Sequence, residues 1–177
     1  MKALKTFISL VAIIFGIIAF TYYSLPDEIK VEQSIVIEKP QLKVYHTVND
    51  LSTFSDWSGW FSADPQTQKT LTNNTVGPNA KFVWASSKAE VGMGELEILE
   101  SRVMNKVVYA MNFGPESLGT TVIRLEPTAS GTKLIWSYET NFHGDFMGRF
   151  SGLFIRKSLE KHFSQTLENL KTYLESS

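Results

Sequence analysis

The end of the chain carries the clearest pattern. From about residue 147 to 174, Ile155, Leu159, Phe163, Leu167, Leu170 and Leu174 recur at steps of four and three, the spacing that lines one face of an α-helix. Arg156, Lys157, Glu160, Lys161, Glu168, Asn169 and Lys171 fall mostly on the other side. At 1.5 Å per residue this helix is roughly 40 Å long, so its apolar face needs a broad cover.

The segment 31–142 reads as that cover. Residues 31–38 alternate as a first strand, with Val31, Ile35 and Ile37 on one side and Glu32, Ser34 and Glu38 on the other. Pro40 then stands where a helix can start, since its missing N–H has no partner in the first turn anyway. Leu42, Val44, Tyr45 and Val48 follow at helical spacing, and a second short helix at about 51–57 has Asp50 as its N-cap. An aromatic knot of Phe54, Trp57, Trp60 and Phe61 ends in the turn Ser62-Ala63-Asp64-Pro65. Beyond it, turn residues separate runs around Phe82 and Trp84, Leu96 and Ile98, Tyr109 and Phe113, Ile123 and Leu125, and Trp136 and Tyr138. Five or six strands so closely spaced leave no room for crossover helices, so the sheet is antiparallel. The predicted class is α+β: strand, two short helices, a meander, then one long helix.

Ahead of the domain, Lys2 and Lys5 precede an uncharged run from Phe7 to Phe20, followed by Tyr22, Tyr23, Asp27 and Glu28. A cleaved signal peptide and an uncleaved anchor both start this way. Extended to Tyr23, the segment reaches the lower end of the roughly 17–25 residues a spanning helix needs, and no small-residue cleavage pair follows the apolar run. Two tyrosines at its end suit a membrane interface. The expected organisation is a cytoplasmic N-terminus at 1–6, a transmembrane anchor at 7–23, a linker at 24–30 and a domain at 31–176. Basic residues before the span and acidic ones after it make this a single-pass membrane protein with its domain on the extracytoplasmic side.

Composition removes several function classes. The net charge is −1, and no basic stripe is present to displace counterions from phosphates, which argues against a nucleic-acid partner. The absence of cysteine excludes disulfides, thiolate catalysis and cysteine zinc sites. His46, His143 and His162 are not spaced for a metal. Nothing in the sequence asks for a cofactor, and no feature sets an oligomeric state.

The run Ser34-Ile35-Val36-Ile37-Glu38-Lys39-Pro40, the helix through Val44-Tyr45, and 51–60 with its Trp57-x-x-Trp60 resemble the opening of the polyketide cyclase/dehydrase and lipid-transfer proteins, in the START-related SRPBCC superfamily. Gly92-x-Gly94, Gly131-Thr132-Lys133-Leu134-Ile135-Trp136 and the C-terminal helix extend the resemblance over about 28–174. It implies a helix-grip fold, in which a curved antiparallel sheet wraps the last helix and two short helices close one end around a deep cavity. Members bind lipids, sterols or polyketides, and some catalyse, so function lies in the site rather than the fold. One departure concerns the mouth loop, where Gly59 replaces the proline of many relatives.

The aromatic residues Trp57, Trp60, Phe82, Trp84, Tyr109, Phe113, Trp136, Tyr138, Phe150 and Phe154 are the candidate ligand-binding set. On their own these residues read as a filled core, since large aromatics usually pack, whereas the resemblance places them around a cavity. Gly144, Gly148 and Gly152 near the start of the long helix suggest close approach or a flexible entrance. Glu95, Glu97 and Glu100 face solvent if Leu96 and Ile98 face inward. Tyr109, Tyr138 and Thr121 point inward as hydroxyls, which orient a ligand without supplying strong acid or base. The first expectation is therefore a membrane-tethered module that binds or transfers a hydrophobic small molecule or lipid. A cyclase- or dehydratase-type enzyme is the alternative, with His143, oriented by Asp145, or Tyr138 as proton carrier. A protein-interaction domain with a vestigial cavity is the third.

Overall fold

The computed structural model describes residues 2–113 and 118–176; the side chains of 2–5, 8, 9, 12, 118 and 153–155 lie outside that description. Helix α1 covers Lys2–Ser24 and leads through Leu25, Pro26 and Asp27 into strand β1 at Glu28–Ile37. Then come α2 (Gln41–Val48), a 3-10 turn (Leu51–Thr53), α3 (Phe54–Trp57), β2 (Gln68–Leu71), β3 (Lys81–Ala85), β4 (Met93–Arg102), β5 (Lys106–Asn112), β6 (Leu118–Thr128), β7 (Gly131–Asn141) and α4 (Phe146–Glu175). Pro40 precedes α2 as expected, and the Asp50 carboxylate accepts from the Ser52 N–H at 2.9 Å.

The seven strands form one antiparallel sheet in the order β1-β7-β6-β5-β4-β3-β2. The first strand pairs with the last and packs against α4, the arrangement of a helix grip. The far end of the embrace is tied by the Glu38 N–H donating to the Glu175 carboxylate at 2.9 Å. Alternation decides the faces: Leu134, Trp136 and Tyr138 on β7 are buried, as are Leu96 and Ile98 on β4. Glu95 and Glu97 turn outward onto Lys81, at 3.1 and 2.8 Å. A bulge between Ile98 and Glu100 re-phases β4 and leaves Leu99 exposed. Strand β2 carries no inward apolar set, because all four of its residues are exposed at the sheet edge. That is why alternation did not reveal it.

The middle of the grip is filled rather than hollow, contrary to the deep cavity expected. The Trp136 indole stacks on the Phe163 ring with centroids 4.4 Å apart. Phe54, Trp57, Phe61, Phe82 and Trp84 interlock in edge-on and tilted contacts beside it.

Helix α1 carries exposed apolar side chains around its circumference, including Phe7, Ile13, Phe15, Ile17 and Phe20. Among the described residues no helix is long and apolar enough to cross a membrane. The structure therefore does not show the anchor expected at 7–23.

Candidate functional site

The open space lies at one end of the grip, where β1 begins, β7 ends and α4 starts. The chain leaves β7 at Asn141 and turns through His143 and Gly144, both at positive φ (49° and 81°). Gly144 fits this backbone because it has no Cβ to clash. Asp145 then caps α4, its carboxylate accepting from the N–H groups of Met147 (3.3 Å) and Gly148 (2.6 Å). Gly148 and Gly152, one turn apart, form a flat seat for the Phe142 ring: a Cβ on either would lie 2.8 Å from ring carbons. Opposite, the Trp60 indole stacks on Phe113 at 5.2 Å and meets the His162 ring at the same distance. The indole N–H groups of Trp60 and Trp84 both donate to the Val91 carbonyl, at 3.2 and 3.3 Å, which fixes that wall.

Between these walls lies a half-open cavity of about 550 Å³. Ile29, Trp60, Phe113, Phe142, Met147, Phe150 and Leu159 supply its apolar surface, and Glu90, Tyr138, Thr140, Ser151, Ser158 and His162 its polar atoms. Tyr138 lies flat over Gly119, where a Cβ would come within 2.4 Å of the phenol. Burial pushes its hydroxyl above the ordinary phenol range, against an opposing hydrogen bond from Thr140. The group is therefore a proton-bearing donor to anything in the cavity.

The structure divides the expected ligand-binding set. Trp60, Phe113, Tyr138 and Phe150 line the cavity. Trp57, Phe82, Trp84, Tyr109 and Trp136 are buried in the packed interior instead: the four other than Tyr109 are closed in by ring-on-ring packing, and Tyr109 is tied to the Val48 carbonyl. The Phe154 side chain lies outside the described residues, as does that of Ile155. The proton-transfer pair of His143 and Asp145 is not assembled. His143 is exposed and faces a second groove of about 520 Å³ on the outer side of the sheet, with Lys30, Glu32, Arg124 and Glu139, while Asp145 is engaged with the helix amides.

Sequence reasoning missed Ile29, Phe142, Met147 and Leu159 as lining residues. The signal for Phe142 was present in Gly148 and Gly152, a pair of small residues one helical turn apart that needs a large partner. Gly59, which departs from the proline of many relatives, has φ +66° and would bring a Cβ within 2.4 Å of Asn169. Proline is fixed near φ −65°, so this loop cannot take it.

The profile described as polyketide cyclase / dehydrase and lipid transport matches residues 28–175. No curated protein matches the chain significantly. Among solved structures, a Staphylococcus aureus protein of unknown function is 9% identical with a TM-score of 0.64, covering 84% of this chain and 94% of its own. A Chromobacterium violaceum protein is 17% identical with a TM-score of 0.58, covering 85% and 99%. The di-domain aromatase/cyclase StfQ of the steffimycin biosynthetic pathway is 13% identical with a TM-score of 0.60, covering 84% of this chain and 51% of its own. At these identities the likeness is one of fold. With the family profile running from the first strand to the end of the last helix over the same helix grip, the chain belongs to the polyketide cyclase / dehydrase and lipid transport family.

Proposed function

We propose that this protein is a membrane-tethered module that binds or transfers a hydrophobic small molecule or lipid in the cavity at the start of α4. The observation that carries the reading is the lining: apolar side chains on opposite walls, with hydroxyls at Tyr138, Thr140, Ser151 and Ser158. A volume of about 550 Å³ falls within the roughly 300–1,000 Å³ of small-molecule sites. Such a lining orients a ligand without activating it. The cyclase reading has less support, because His143 faces the outer groove and Tyr138 holds its proton. The apolar circumference of α1, with Lys2 and Lys5 before it and Tyr22 and Tyr23 at its end, supports insertion as an anchor with the domain on the extracytoplasmic side.

The test uses the full chain reconstituted into vesicles that contain a phospholipid with a photoreactive acyl chain. Cross-links mapped by mass spectrometry are expected at Trp60, Phe113, Phe142 or Leu159. Labelling confined to α1 overturns the binding function.

A further inference from the structure

The cavity mouth and the end of α1 are held together by several independent contacts. Only Leu25, Pro26 and Asp27 separate α1 from β1, a reach of about 10 Å at most. Those residues are not slack. The Phe142 N–H donates to the Asp27 carbonyl and the Gly144 N–H to its carboxylate, both at 2.9 Å. From α4, the Arg149 guanidinium donates to the Leu25 carbonyl and lies 5.2 Å over the Tyr22 ring. It also stands 3.8 Å from the Asp27 carboxylate. Phe142 and Gly148 line the cavity, so these ties fix the mouth at the point where α1 leaves the domain.

An apolar surface runs across the same junction. Tyr22 in the last turn of α1 stacks on Phe146 at 6.0 Å, and Phe146 stacks on Phe150 at 6.5 Å. Phe150 and its neighbour Met147 form the cavity lip, yet they are 45% and 66% exposed. Tyr23, beside Tyr22, is 84% exposed. A lip this apolar, continuous with an apolar helix, costs free energy in water. Aromatic rings at such a level are suited to the boundary of a bilayer.

We infer that the first two turns of α4 form a membrane-docking lip: Met147 and Phe150 enter the lipid interface, and the cavity opens directly onto the bilayer. The partner is the lipid surface itself, and cargo passes between bilayer and cavity without crossing water. This rests on the proposed binding function and on α1 as the anchor, but it adds an orientation that neither requires. A tethered domain with its mouth turned to solvent would serve soluble ligands equally well.

The absence of cysteine permits a direct test. Met147→Cys and Phe150→Cys are each made in the full chain and labelled with a nitrobenzoxadiazole fluorophore. Val103→Cys is the reference, since Val103 is exposed on the β4–β5 hairpin beside α2, at the opposite end of the grip. In vesicles of phosphatidylcholine and phosphatidylglycerol, labels at 147 and 150 are expected to be quenched by spin-labelled lipid and shielded several-fold from aqueous iodide. The label at 103 should stay open to iodide. Labels at 147 and 150 that respond like the one at 103, or are shielded from iodide without lipid quenching, overturn the inference. Photolabelling of the cavity reports separately on the binding function, so cavity cross-links with a water-exposed lip sink the orientation alone.

Discussion

The indole of Trp136 lies almost parallel to the ring of Phe163, with centroids 4.4 Å apart and planes 12° from parallel. This contact joins the sheet to α4 at the centre of the grip and closes the space where a deep cavity was expected. Trp136 is held from behind by its N–H donating to Thr121 Oγ1, so it cannot swing to fill a gap. Phe163→Ala should therefore cost about 3–5 kcal/mol, the range for a buried aromatic truncated in a core that relaxes only in part. Denaturant unfolding of the variant in micelles measures it. A loss below about 1 kcal/mol would mean that the stack carries no core packing.

Gly152 makes the complementary prediction at the cavity. A Cβ there would sit 2.8 Å from the Phe142 ring and 3.0 Å from Ile29, and both neighbours line the cavity. Gly152→Val should push Phe142 into the open space and cost about 1–3 kcal/mol from overpacking. Photolabelling of Trp60 and Leu159 should fall with it. Gly16→Val, where nothing lies within 4 Å, should leave the labelling of the cavity unchanged.

The two regions differ in how far the sequence revealed them. Strand faces could be read because one side of each inner strand is apolar; Trp136 and Tyr138 recur two residues apart on one run, and both are buried. Periodicity cannot tell whether an inward aromatic meets another ring or empty space. That depends on the depth of curvature across β1, β7 and β6, a property of the assembled sheet. Trp136 and Tyr138 are two residues apart on one strand, yet the first is clamped by Phe163 and the second borders the cavity. The mouth was hidden for a different reason. Its parts come from β1, the loop after α3, the residue after β5, the end of β7 and the first half of α4, and no local pattern links Ile29 to Trp60 or Met147.

Tyr109 gives a pH prediction. Its hydroxyl is buried and donates to the Val48 carbonyl at 2.5 Å, and burial, with a smaller contribution from Tyr45, pushes its ionisation far above the ordinary phenol range. The unfolded chain releases that proton near pH 10, whereas the native state keeps it. Stability from this group is therefore fully present below about pH 10 and is lost as the pH rises beyond it, by up to ~1.4 kcal/mol per pH unit. Tyr109→Phe should make the alkaline decline of unfolding free energy shallower. At neutral pH it should cost about 1–3 kcal/mol, because the Val48 carbonyl loses its donor. An unchanged alkaline slope would show that Tyr109 ionises as readily in the fold as in water.

Asp145 tests whether the lip is a helix or a loop when the cavity is in use. Its carboxylate holds the N–H groups of Met147 and Gly148, the same residues that form the edge of the mouth. No other side chain is hydrogen-bonded to those two amides among the described residues. Asp145→Ala should therefore cost about 1 kcal/mol, as for other N-cap losses, and the cost should be local. Hydrogen exchange is expected to speed up at Met147 and Gly148 while the amides of β7 and of the buried half of α4 stay protected. Asp145→Asn, which keeps an acceptor oxygen, should restore most of that protection. If exchange rises across all of α4 instead, the cap stabilises the whole helix rather than its first turn.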